Sequence, residues 1–130
     1  MKSRDHLIRL KRFQVEERRR RVQQIESMIA DFHRMAADLD REIANEETRS
    51  GITDATHFAY PTYARAAGVR RDNLKRSADE LHGQLADAKG YLETALDDLR
   101  KAESLEGREK ADRSEAGRMD GEFSFGLARA

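Results

Sequence analysis

From Ile8 to Ile43 every seventh residue is apolar: Ile8, Val15, Val22, Ile29, Ala36 and Ile43. A repeat of seven corresponds to 3.5 residues per contact, which holds one helix against another along a single left-handed seam. With these residues at heptad position a, position d falls on Lys11, Arg18, Ile25, Phe32 and Leu39. The seam is therefore fully apolar only from Val22 onward. Such a chain buries its apolar surface against a partner helix, and it reads as a rod that works by binding.

Only 38% of the residues are hydrophobic and another 38% are charged, the balance of a thin coiled coil and too few apolar groups for a wide core. The 25 basic and 25 acidic residues cancel, so no global field draws the chain to nucleic acid or membrane. There is no cysteine, which excludes disulfides and thiolate metal sites and fits a reducing compartment. The opening MKSRDHLIRLKRF lacks the apolar run of a secretory signal, and no stretch reaches membrane-spanning length. The expectation is a soluble, cytoplasmic protein.

Residues 1 to 50 contain neither Gly nor Pro, so a helix capped by Ser3 or Asp5 can run uninterrupted from 3 to 49, with Gly51 as its stop. Residues 50–60 have turn composition, and Phe58, Tyr60 and Tyr63 crowd around Pro61, which suits the first position of a second helix. That helix, 61–106 with a fraying extension, has its own seam. Leu74, Leu81, Ala88, Ala95 and Ala102 at d alternate with Ala78, Leu85, Leu92 and Leu99 at a. Gly68, Gly83 and Gly90 fall off the seam, each costing about 1 kcal/mol relative to Ala, so this helix is the softer of the two. Glycines recur after Gly107 and the heptad is lost, which predicts one hairpin domain over 1–113 and a disordered, flexible tail over 114–130.

Charge orients the pairing. With a turn near residue 55, residue i lies level with residue 110 − i. Residues 1–25 carry nine basic and three acidic side chains against four and seven in 85–109, and residues 26–49 carry three and seven against five and three in 61–84. The signs oppose in both halves, whereas a parallel homodimer stacks Arg18-Arg19-Arg20-Arg21 on its own copy. The fold class expected is all-α, a long antiparallel two-helix coiled-coil hairpin.

No site for catalysis, cofactor or metal is apparent. His6, His33, His57 and His82 show no HExxH or other zinc spacing, and carboxylate pairs such as Glu16–Glu17 and Asp97–Asp98 point about 100° apart on a helix. P-loop, GxGxxG and GxSxG motifs are absent. The basic run Arg18–Arg21, with Arg9, Lys11 and Arg12, pairs in part with Glu93, Asp97, Asp98 and Glu103 across the hairpin and leaves a surplus of three positive charges for an acidic partner. Nucleic acid is not expected, because no aromatic residues are interleaved with the arginines to stack on bases. At the tip, one or more of Phe58, Tyr60 and Tyr63 packs on Ile52 and Ile43, and the remainder forms an exposed patch of the kind that binds partners.

The opening KSRDHLIRLKRFQVEE, the stretch QQIESMIADFHRMAADLDREIANEE, the tip GITDATHFAYPTYARAA and the following RRDNLKRSADEL resemble the flagellar export protein FliJ family in its alphaproteobacterial form. The resemblance covers roughly the first 85 positions and loosens toward Leu105. It implies a non-enzymatic coiled-coil stalk at the cytoplasmic face of the flagellar basal body. Its partners would be the export ATPase ring with its regulator, the cytoplasmic domain of the export gate membrane protein, and export chaperones, with membrane contact only through partners. By position, Leu7, Leu10, Phe13, Arg18, Arg19, Arg20 and Arg21 are the candidate ATPase-binding residues, and Phe58, Tyr60 and Tyr63 the candidate gate-binding residues. The alternatives are a structural homodimeric coiled-coil adaptor, the equivalent stalk of a type III injectisome, and a basic-arm nucleic-acid or membrane-surface binder.

Overall fold

A computed structural model describes the backbone of residues 2–129 and the side chains of residues 3–118. Two helices, α1 (Lys2–Ser50) and α2 (Thr62–Arg129), account for all its regular secondary structure. The first helix spans the Gly- and Pro-free stretch, and its end is specified locally. Gly51 takes a positive φ of 73° and donates its N–H to the Glu47 carbonyl at 2.9 Å, while the Ser50 hydroxyl accepts the Ile52 N–H at 3.1 Å. A residue with a Cβ is strained in that left-handed conformation, so the glycine stops the helix and turns the chain.

The second helix begins one residue later than the sequence suggests. Pro61 stands just outside it, its carbonyl accepting the Arg65 N–H at 3.1 Å, so proline occupies the N-cap rather than the first helical position. At the other end α2 continues past residue 106, through Gly107 and Gly117, to Arg129. Both glycines face open space, and the Glu, Arg, Lys and Ala residues around them favour helix enough to carry it on. The expectation of a flexible tail falls largely on side chains 119–130, Phe123 and Phe125 included, which lie outside the described residues.

The chain divides into two compact units. One comprises Arg19–Gly90 and contains the loop between the helices; the other comprises Met1–Arg18 with Tyr91–Ala130. In Arg19–Gly90 the helices pack antiparallel along the apolar half of the seam. From α1, Val22, Ile25, Ile29, Ala36, Leu39 and Ile43 are buried; from α2, Ala64, Ala67, Ala78, Leu81 and Ala88 are buried. Bulky aliphatics on one helix thus face mainly alanines on the other, and small partners favour close approach of the helices. Ile25, at 1% exposure, is the largest fully buried side chain. Phe32, Leu74 and Leu85 are only half-buried, because a two-helix seam lacks a third element to close its flanks.

The seam of α2 reaches further back than Leu74. Tyr60, Ala64 and Ala67 form a cluster with Leu39 and Ile43, against which Ile52 and Leu74 pack. Interrupting the repeat between Ala67 and Leu74 is Arg71 at an a position, half-buried and hydrogen-bonded to Asp40 at 3.0 Å and Asp72 at 3.1 Å.

In the unit of Met1–Arg18 with Tyr91–Ala130, Ile8 and Val15 are the buried seam residues of α1. Leu92, Ala95, Leu99 and Ala102 of α2 are half-buried beside Leu96, a residue the heptad leaves off the seam. Contacts here also run antiparallel: Arg4 pairs with Glu109, Arg12 with Glu103 at 3.4 Å, and Lys11 with Asp98 at 4.0 Å. No helix among the described residues is long and apolar enough to cross a membrane.

Two substitutions calibrate this packing. Ile25→Ala is expected to cost about 2–5 kcal/mol in chemical denaturation, since it opens a void that the seam cannot collapse into. Gly83→Ala, whose Cβ meets nothing within 4 Å, is expected to raise stability by up to about 1 kcal/mol in the same experiment.

Candidate functional site

Two surfaces carry the residues singled out for binding. Along the N-terminal part of α1, Leu7, Leu10 and Phe13 are 44%, 51% and 54% exposed. Their positions three residues apart align them on the helix surface away from Ile8 and Val15, so they add an apolar strip that the seam does not use. The d positions beside them are charged. Arg4 and Lys11 are half-buried and engaged by Glu109 and Asp98.

The arginine run divides by partner. Arg18 places its guanidinium 5.2 Å from the centre of the Tyr91 ring, a cation–π contact in a groove also lined by Gln14, Glu17, Thr94, Ala95 and Asp98. Arg19, Arg20 and Arg21 are exposed, and Arg20 and Arg21 make no hydrogen bond or ion pair among the described residues. Of the acidic groups expected opposite the run, Asp98 and Glu103 do pair across the helices, with Lys11 and Arg12, whereas Asp97 bonds Arg100 of its own helix at 3.2 Å. Tyr91 had not been singled out; it stands one residue before Leu92, where the antiparallel seam brings it beside the d position of Arg18.

The second surface is the loop between the helices, where the three aromatics have separate fates. Tyr60 is a core residue, 7% exposed, with its hydroxyl donating to Glu47 at 3.3 Å. It is the aromatic that plugs the turn, packed with Leu39 and Ile43. Tyr63 is half-exposed and donates to Glu42 at 2.6 Å across the helix pair. Phe58 is 94% exposed and stacks only on His57, their ring centres 4.8 Å apart.

That exposure is imposed by a well-bonded loop. Asp54 accepts the Thr56 N–H at 2.9 Å and the Thr56 hydroxyl at 2.7 Å, closing an Asx turn, and the His57 N–H reaches the Asp54 carbonyl at 3.1 Å. His57 Nδ1 then accepts the Ala59 N–H at 3.0 Å, and its carbonyl receives the Tyr60 N–H at 3.0 Å and Arg65 at 3.3 Å. Phe58 thus sits on a segment bonded on both sides.

Electrostatic perturbations in the molecule follow these local bonds. The side-chain and backbone bonds from Thr56 hold the Asp54 carboxyl below its ordinary value. Burial, followed by the charge of Glu47, raises the Tyr60 phenol, and the bond to Glu42 raises that of Tyr63. Asp40, then Asp72, raises Arg71 further. Each shift favours the state that is bonded in the fold, and no group of three or more His, Cys, Asp or Glu that could hold a metal gathers among the described residues.

No family model, curated protein or solved structure matches this chain.

The loop generates two expected outcomes. Because the Asp54 pKa is depressed in the fold, its contribution is present above the ordinary 3.8 and is lost as pH falls through the lower folded value; the Thr56 amide resonance should titrate with a midpoint below 3.8. Phe58→Ala should leave the unfolding free energy measured by chemical denaturation within about 0.5 kcal/mol of the parent, while Tyr60→Ala should cost about 3–5 kcal/mol.

Proposed function

We propose that the chain is a non-enzymatic stalk of the flagellar type III protein export apparatus, acting in the cytoplasm by binding the export ATPase ring and linking it to the membrane export gate. The observation that carries this reading is the change in the seam. Between Val22 and Ile43 the α1 seam is apolar throughout, whereas in Met1–Arg18 with Tyr91–Ala130 its d positions are Arg4, Lys11 and Arg18. A seam that keeps cations at d gives up pairing energy where a partner surface can use the charge. The exposed strip of Leu7, Leu10 and Phe13 supplies apolar anchors beside those cations, the combination that binding surfaces concentrate. The FliJ-like opening and tip sequences support the same reading. The gate is then the proposed partner of the loop end, with Phe58 the exposed anchor, and export chaperones are further proposed partners.

The test is a pull-down of the purified chain against the flagellar export ATPase of the same organism, with ATP hydrolysis followed in parallel. Binding and stimulated ring assembly are expected, and replacing Arg18–Arg21 with Glu should weaken binding at least tenfold, about 1.4 kcal/mol. Absence of binding by a folded, helical protein overturns the proposal. The exposed Leu7, Leu10 and Phe13 also favour a second reading, a self-associating coiled-coil adaptor. Sedimentation across a concentration series separates the two: the stalk is expected to stay monomeric without its ATPase.

A further inference from the structure

Residues far apart in sequence meet across the helix pair of Arg19–Gly90. His33 follows the seam residue Phe32 on α1, and His82 follows the seam residue Leu81 on α2. Both histidines therefore occupy the heptad position just past d, and antiparallel pairing places those positions on the same flank of the seam. The imidazoles stand with ring centres 6.3 Å apart and planes inclined by 44°, both exposed to solvent. Neither is held in the core, and neither takes part in the bonding of the loop.

The spacing fits a shared metal ion. With metal–nitrogen bonds of about 2.0–2.1 Å, two imidazoles ligating one cation stand roughly 4.5–6.5 Å apart between ring centres, according to the angle at the metal. The observed separation lies at the upper end of that span, where the two nitrogens stand nearly opposite each other at the metal, and side-chain rotations that draw the rings about 1 Å closer give the tetrahedral angle. Imidazole donors select nickel, copper and zinc over magnesium and calcium. Two protein ligands leave the remaining positions to water, which sets the affinity well below that of a closed structural site. His57, by contrast, already spends Nδ1 on the Ala59 N–H.

We propose that His33 and His82 form a surface site for a divalent transition-metal ion, which ties α1 to α2. The position gives the tie mechanical value. Gly83 directly follows His82, and Gly90 lies two turns beyond; both have open space where a side chain would be, so α2 is intrinsically weakest here. A cation bridging the helices at this point holds the softer helix against the stiffer one and stabilises the folded pair by mass action. The site is independent of the proposed export role.

The full-length protein is titrated with nickel chloride and, separately, zinc chloride by calorimetry in a non-chelating buffer, and its helical melting is followed by circular dichroism with and without the metal. One equivalent binding in the micromolar range, with a higher melting temperature, is expected. His33→Ala and His82→Ala should each weaken binding at least tenfold and abolish the rise in melting temperature, while their metal-free melting stays close to the parent because both rings are exposed. The paired change His6→Ala with His57→Ala should leave binding intact. Unchanged affinity in either His33→Ala or His82→Ala, or binding that leaves the melting temperature where it was, overturns the proposal.

Discussion

Everything in this protein depends on large aliphatic side chains of one helix packing against alanines of the other. Val22, Ile25, Ile29, Leu39 and Ile43 contribute the volume, and Ala64, Ala67, Ala78 and Ala88 contribute the space. The division explains why so hydrophilic a chain forms a defined structure. Apolar burial is confined to one line, and close approach of the helices gives that line packing contacts on both sides. It also explains the unequal character of the helices. The bulky one contains no glycine, while the alanine-bearing one tolerates Gly68, Gly83 and Gly90 because they lie off the line.

Polar groups then specify what the apolar line leaves open. Arg71 interrupts the alanines at an a position and is fixed by Asp40 and Asp72, which discourages a slip of one heptad that would set it against an aliphatic residue. Tyr60 closes the loop end of the core and is tied through its hydroxyl to Glu47, the same residue whose carbonyl receives the Gly51 N–H. The helix stop, the turn and the core are thereby joined at one residue.

Much of this was legible in the sequence because it is periodic or compositional. Seven-residue spacing located the seam from Ile8 to Ile43, Gly51 marked the stop, and opposed charges indicated antiparallel pairing. What was not legible depends on contacts across the helices. The repeat of α2, followed backward from Leu74, is broken in the sequence by Arg71, yet Ala67, Ala64 and Tyr60 continue it in the fold. Separation of the tip aromatics into a buried Tyr60, a bonded Tyr63 and a bare Phe58 is decided by the hydrogen bonds of the loop, which composition does not encode. Zinc-spacing rules read only neighbours in sequence, so they say nothing of the approach of His33 to His82 across the helices. Their shared place after a d residue was the signal that could have joined them.

The change of seam chemistry along α1 has a further consequence for how the two units answer their surroundings. Pairing of Arg4, Lys11 and Arg12 with Glu109, Asp98 and Glu103 is coulombic and partly exposed, so added electrolyte weakens it as the Debye length shrinks toward a few ångströms. The unit of Arg19–Gly90 also carries the Arg71–Asp40 pair, but its aliphatic line is indifferent to salt and loses strength on cooling instead. Ionic strength therefore acts most on the unit with the charged seam, and cooling most on the unit with the aliphatic one.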